Sequence, residues 1–338
     1  MVFQMSIEKG CRVAVETCMG VKKNEKVVIV SDDRTKNIGL GLRDISLEIT
    51  PQVRYFNLNI YGKRPLKKLP TGVQKSANDA DVTFWTPHSL DGELETLRMP
   101  FLKAALNMGR HAHMVNINEE IISNSMAADY KKISEFTEKL YNKIKDANKV
   151  KVTNELGTDI TATFDKYKWV QSTGICHTKG QWVNLPSGEM FKPPTTMEGK
   201  IVIDGSVGDY LGEEYRHSDL VETPVTMEIT TKERPQATSV SCENKDIERE
   251  IKEYISRHEC SKYVGEVGFG TNIFLDKIVD NMLQDEKYPG IHVAFGDPIA
   301  DDTFADWSCP EHIDMILTKC NIWFDDEKIM EDGRYIIG

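Results

Sequence analysis

Strand-like apolar runs that alternate with helical stretches through the first 120 or so residues are what most restrict the fold open to this chain. Residues 25–31 (EKVVIVS) read as a buried strand, and residues 35–49 as a helix whose start is marked by Asp33. Residues 52–60 (QVRYFNLNI) give a second strand, with alternation through Val53, Tyr55 and Asn57. Residues 81–86 and 112–117 give two more, separated by a helix through Leu94, Leu97, Phe101, Ala105 and Leu106. Strands spaced by helices imply a parallel sheet with crossover connections. The basic run 62–70 reads as a solvated loop that could help attract an anionic ligand.

Residues 126–147 read as a helix, with Ile133, Phe136, Leu140 and Ile144 at helical spacing. A domain boundary is placed just after it, giving an N-terminal α/β domain over residues 1–149 and an α+β metal-binding domain over residues 150–338. In the second half, 151–154 and 159–164 flank a turn and read as a β-hairpin. Strand signals recur at 200–204, 225–230 and 291–295, and helical patterns at 247–255 and 274–283.

The net charge of -11 argues against nucleic acid as a partner, because phosphate binding needs a basic footprint. Apolar content of 40% and charged content of 28% describe an ordinary globular chain. No apolar run approaches the ~18 residues of a membrane span. The first twenty residues carry Glu8 and Glu16 and no apolar core, so no secretory signal is expected, and the chain is placed in the cytoplasm. Its seven cysteines are scattered without a CxxC pair and read as reduced, mostly buried thiols. Cys309 lies close to His312 and is a candidate site-lining thiol.

Near the C-terminus, Glu311-His312-Ile313-Asp314 puts an imidazole and a carboxylate two residues apart, on one face of a strand. His292 lies in the strand-like run Gly290-Ile291-His292-Val293-Ala294-Phe295-Gly296. Glu266 is set between glycines in an apolar context, where a carboxylate must be paired or coordinated. Glu189 follows the tight Asn184-Leu185-Pro186-Ser187-Gly188. Imidazole nitrogen and carboxylate oxygen are the donors that divalent zinc, manganese and cobalt accept. His113 and His177 are spare acid–base candidates or ordinary structural histidines. The cluster Asp297, Asp301, Asp302 and Asp306 reads as a solvated loop or as a further source of site carboxylates.

The string Asn184-Leu185-Pro186-Ser187-Gly188-Glu189-Met190-Phe191 with Pro193-Pro194 resembles a motif of the thermophilic metalloaminopeptidases, the aminopeptidase T and aminopeptidase S family. So do Gly265-Glu266-Val267-Gly268-Phe269-Gly270-Thr271-Asn272, and Asp285-Glu286-Lys287 followed by the His292 strand. The His312–Asp314 pair and the terminal Glu331-Asp332-Gly333-Arg334-Tyr335 complete the order, and the N-terminal VVIVSDD run is also similar. The resemblance implies a two-metal site of Glu189, Glu266, His292, His312 and Asp314, holding zinc, cobalt or manganese, with Glu189 and Glu266 also as catalytic carboxylates. It implies a hydrolase that removes N-terminal residues from short peptides with a metal-activated water, acting as a homodimer. The family's tyrosine after the His292 strand is missing, since that stretch reads Asp297-Pro298-Ile299-Ala300-Asp301. The related 2,5-dihydroxypyridine dioxygenases imply an alternative, a small-molecule substrate and one Fe(II) on His292, His312 and Asp314. In that group a histidine tends to stand where this chain has Glu266. A third reading is a non-catalytic relative kept as a binding protein.

Overall fold

The computed structural model describes residues 2–208 and 215–337. The chain divides into two compact units, residues 1–134 with 172–187, and residues 135–171 with 188–338. The segment 172–187 thus returns to the first unit instead of lying beyond a boundary near Lys149. Among the described residues no helix is long and apolar enough to cross a membrane.

The first unit is built on a five-stranded sheet. Its strands are β1 (Val27–Ser31), β2 (Val53–Asn57), β3 (Val82–Trp85), β4 (Arg110–His113) and β8 (Trp182–Asn184), in the order β2-β1-β3-β4-β8. Every pairing is parallel, as the alternation of strands and helices implies. The helix Lys36–Ile49 carries the chain from β1 to β2, burying Ile38, Leu42 and Ile45 along one stripe. Val28, Val30, Trp85, Phe101 and Ala105 share an apolar cluster. Each large side chain so buried stabilises the unit by about 1.5–3 kcal/mol before entropy is subtracted.

Two expectations fail here. The strand expected at 112–117 begins earlier, at Arg110, and ends at His113. The run Arg110-His111-Ala112-His113 is buried although it is polar. Arg110 is satisfied by Glu25 and by the carbonyls of Met19 and Gly20, and His111 by Thr83. The basic run 62–70 is not wholly solvated either. Arg64 turns inward and pairs with buried Asp32 and Glu93.

The second unit holds two sheets. Its remaining strands are β5 (Lys149–Thr153), β6 (Asp159–Thr163), β7 (Val170–Ser172), β9 (Glu189–Lys192), β10 (Thr196–Ile203), β11 (Val225–Thr231) and β12 (Pro235–Ser241), then β13 (Val264–Gly270), β14 (Gly290–Gly296), β15 (His312–Leu317), β16 (Asn321–Phe324), β17 (Glu327–Glu331) and β18 (Arg334–Tyr335). The larger sheet runs β12-β11-β10-β6-β5-β16-β17-β18, with β5 and β6 as the expected hairpin. The smaller runs β15-β14-β13-β9-β7. Phe164, Trp169, Phe269 and Phe324 meet in the core of this unit, Phe269 and Phe324 at 5.3 Å between ring centres.

The helix expected over 274–283 does not form, and only Met282–Asp285 makes a short turn. Asp285 is buried and accepts the backbone N–H groups of Val279 and Asn281 together with the hydroxyl of Ser206. A side chain therefore supplies the hydrogen bonds that a helix would have made with its own carbonyls.

Candidate metal centre

Four adjacent strands of the smaller sheet each contribute to one cluster. β9 brings Glu189, β13 brings Glu266, β14 brings His292, and β15 brings His312 and Asp314. The register sets Glu189 opposite Gly270, His292 opposite Gly268, and Ala294 opposite both Glu266 and Asp314, while His312 faces Gly296. Residues opposite one another, and residues two apart on a strand, share a face, so all five side chains point the same way. Glycine and alanine between them leave room for the side chains to lie over the sheet. A Cβ on Gly268 would stand 1.9 Å from His292 Nε2, which explains a glycine in the middle of a buried strand.

Glu266 links the two halves of the cluster. His292 Nε2 lies 2.9 Å from Glu266 Oε1 and 3.6 Å from Glu189 Oε2. His312 Nε2 lies 3.9 Å from Glu266 Oε2 and 3.4 Å from Asp314 Oδ2. Ligand atoms of Glu189, Glu266 and His292 all fall within 4.8 Å of one another, and so do those of Glu266, His312 and Asp314. His312 Nδ1 donates to the carbonyl of Asp297 at 2.9 Å, which fixes the ring and aims Nε2 at the carboxylates. Three carboxylates and two imidazoles, convergent and all buried except the half-buried His312, fit a divalent metal ion, with zinc, cobalt, manganese and ferrous iron all compatible with such donors. A divalent metal is the cofactor class that these two donor groups could hold.

The charges agree with that fit. Burial pushes the Glu266 carboxyl up, while the two imidazoles pull it back. Burial alone would lower His292, but the Glu266 carboxylate overrides it and raises the imidazole to about 9. Asp314 is pushed up by burial, yet the His312 imidazole beside it holds it down at about 2. In the metal-free protein, protons on the imidazoles therefore balance the carboxylates. A cation that engages His292 must displace a proton, so at neutral pH metal uptake should release at least one proton for each such ion. Calorimetric titration in two buffers of different ionisation enthalpy measures this directly. Equal heats in the two buffers would oppose the assignment.

Beside the cluster stands a residue to which sequence reasoning gave no role. Lys287 is fully buried and donates to Glu189 Oε1 at 2.6 Å and to Glu286. Burial alone would lower its ammonium, but Glu189 and Glu286 hold it above the ordinary lysine value. Burial in turn raises Glu286 to about 8. The Asp-Glu-Lys run was the only sequence signal for this group.

Other candidates go elsewhere. His113 belongs to the first unit, where it bonds His111 and Arg98 and burial holds it well below the ordinary histidine value. His177, in the same unit, is exposed and bonds the carbonyl of Thr17. Asp306 is committed to Lys166, Arg234 and Tyr167, and Asp301 and Asp302 are exposed. The Asp297 carboxylate accepts the Cys309 N–H, and only its carbonyl reaches His312. Cys309 is not a free thiol, because it forms a disulfide with Cys260. The fold brings these cysteines together across 49 residues, a pairing that their scatter in the sequence conceals. The five free cysteines, Cys11, Cys18, Cys176, Cys242 and Cys320, are buried as expected.

No curated protein matches the chain. Among solved structures it is similar to 2,5-dihydroxypyridine dioxygenase from Pseudomonas putida KT2440, with a TM-score of 0.70 at 17% identity over 98% of this chain and 97% of that one. It is equally similar to wild-type AmpT from Thermus thermophilus, with a TM-score of 0.70 at 16% identity over 99% and 100% of the two chains. These likenesses establish a shared fold, and the aminopeptidase resemblance rests on that fold. The family described as 2,5-dihydroxypyridine 5,6-dioxygenase, NicX, matches in sequence over residues 94–270, just over half of the chain, and the chain belongs to that enzyme family.

Proposed function

We propose that the chain is a metal-dependent, ring-cleaving dioxygenase for a dihydroxylated nitrogen heteroaromatic of the 2,5-dihydroxypyridine kind. The family match over residues 94–270, which includes Glu189 and Glu266, carries this reading. Glu266, His312 and Asp314 would hold one ferrous ion, with His292 standing beside Glu266. Ferrous iron there would supply the one-electron chemistry that lets dioxygen react with an aromatic ring. The chain's own residues handle position and protons. Asp297 fixes the His312 ring through its carbonyl. With Glu266 engaged as a ligand, its hold on the His292 proton would weaken, and a neutral His292 Nε2 would be the group placed to accept the proton that a ring hydroxyl gives up. Glu189 Oε2, 3.6 Å from that nitrogen, then steadies the resulting imidazolium. Glu189, Glu266 and His292 are buried, while the His312 side chain is 29% exposed and marks the side from which a substrate would enter.

One observation favours a second reading. Glu266 is common to both sets of donors, as a bridging carboxylate is in a two-ion hydrolase whose ions stand about 3.5–4 Å apart. That reading is a zinc, cobalt or manganese aminopeptidase acting on short peptides, and a homodimer belongs with it as a proposal.

Elemental analysis of protein purified without a metal-affinity tag, followed by reconstitution with each metal, separates the readings. One iron per chain, with oxygen consumption on 2,5-dihydroxypyridine, is the expected result. Two ions per chain with peptide cleavage and no oxygen uptake would replace it with the hydrolase. No bound metal under any condition would overturn both. Light scattering tests the homodimer.

A further inference from the structure

We propose that Lys287 is a positioning residue that reserves one oxygen of Glu189, so that the site fills at Glu266, His312 and Asp314 first and takes a second ion only weakly. The inference rests on the metal-site reading above and deepens it. Lys287 Nζ stands 2.6 Å from Glu189 Oε1, while Glu189 Oε2 faces His292 Nε2 at 3.6 Å. The carboxylate is thus divided, one oxygen held by a fixed ammonium and the other turned to the cluster.

The backbone enforces this division. The Lys287 carbonyl accepts the N–H of Asn272, and β13 ends at Gly270, directly opposite Glu189. A Cβ on Gly270 would stand 1.9 Å from the carbonyl oxygen of Tyr288 and 2.7 Å from the carbonyl carbon of Lys287. Glycine at this position is what lets the lysine's backbone press against the strand beside Glu189.

A second divalent ion placed by Glu189, Glu266 and His292 would meet this ammonium across a single carboxylate, in surroundings where like charges are poorly screened. On the other side of Glu266, His312 Nε2 lies 3.4 Å from Asp314 Oδ2 and its Nδ1 donates to the Asp297 carbonyl, so the hydrogen-bonded lysine stands on the Glu189 side. The two halves of the cluster are therefore unequal: the ammonium is hydrogen-bonded to Glu189 and reaches Asp314 only through space.

The test is a titration of the metal-free protein with cobalt(II), read by visible absorption and by ions bound per chain. The wild type is expected to bind one equivalent tightly and a second weakly. Lys287→Gln should tighten the second equivalent by about tenfold or more, within the range that outer-sphere partners of metal ligands command, and leave the first nearly unchanged. Should the single variant fail to fold, the double variant Glu189→Gln/Lys287→Gln removes the buried pair together, and it should keep the first equivalent and lose the second. Two equal equivalents in the wild type would overturn the role of Lys287, as would a second equivalent insensitive to Lys287→Gln or retained in the double variant. Absence of any bound cobalt would instead overturn the metal site itself.

Discussion

Glu266→Gln should strip the protein of bound metal without unfolding it. Glu266 is the one side chain shared by both donor sets, with one oxygen toward each imidazole. Glutamine keeps its shape in the middle of β13 but removes the charge. A neutral amide oxygen is a poor ligand beside two imidazoles, so affinity should fall by at least about 100-fold, the upper end of the effect of removing an outer-sphere partner. The variant folds because the imidazole can adapt. Burial works against the His292 proton, and the Glu266 carboxylate is the largest of the charges that hold it, ahead of Glu189 and Asp314. Without that carboxylate, burial favours the neutral ring, and Glu189 and Asp314 remain as counter-charges for any imidazolium, so no uncompensated charge is left behind. The metal-free protein also has a pH dependence of definite sign. The His292 imidazole rises from an ordinary 6.5 to about 9 on folding. Its ion pair therefore contributes stability fully below pH 6.5, and the contribution is lost as pH rises through about 9. Thermal melting of metal-free protein across this window should show a smaller pH dependence in Glu266→Gln than in the wild type, with His312, against burial, still raised by Asp314 in both. Full metal occupancy in the variant would remove Glu266 from the ligand set.

The sequence shows some of this architecture and hides the rest, for physical reasons that differ from place to place. β1 and β3 are legible because a parallel strand buried on both faces is a continuous apolar run, as in Val27-Val28-Ile29-Val30. β4 is equally buried but is spelled with arginine and histidine, whose partners at Glu25 and Thr83 come from distant parts of the chain. Within the site, the pairing of His312 with Asp314 follows from strand periodicity alone. The meeting of Glu189 with Glu266 and His292 depends on the order β15-β14-β13-β9, which no local pattern encodes. Lys287 and Arg64 were illegible for another reason. A charged residue within a polar run looks solvated until the fold supplies its carboxylates. The disulfide between Cys260 and Cys309 is hidden in the same way, because nothing near either cysteine points to the other.

Replacing Arg64 with methionine is expected to be the most destabilising single change in the first unit. The Arg64 side chain is 6% exposed, and those of Asp32 and Glu93 are 3% and 2% exposed. Its guanidinium donates to Asp32 Oδ2 at 2.5 Å, to the carbonyl of His88 at 2.6 Å, and to Glu93. Asp32 immediately follows β1, and its carboxylate also accepts the N–H groups of Thr35 and His88. Glu93 reaches back to accept the N–H of Leu66. One cation therefore ties three loops of the first unit together. Methionine fills much of the same space but leaves two buried carboxylates facing each other without a counter-charge, a loss of about 3–5 kcal/mol. For a unit of this size that corresponds to a drop in melting temperature on the order of 10 °C. Lysine should fall between, since a single ammonium cannot reproduce the guanidinium fork. The pH dependence has a definite sign. Burial alone would raise Asp32, but hydrogen bonds from Thr35 and His88 and the charge of Arg64 hold it below 3.8, so its contribution is present above that pH and lost as pH falls through the folded value. The gap between wild type and Arg64→Met should thus be widest near neutrality and close on acidification, because the abandoned carboxyls can take up protons. Adding Glu93→Gln to Arg64→Met should recover part of the loss at pH 7, as one fewer charge is stranded. A gap that is unchanged by pH and by the second substitution would mean that Arg64 acts through packing, not through charge.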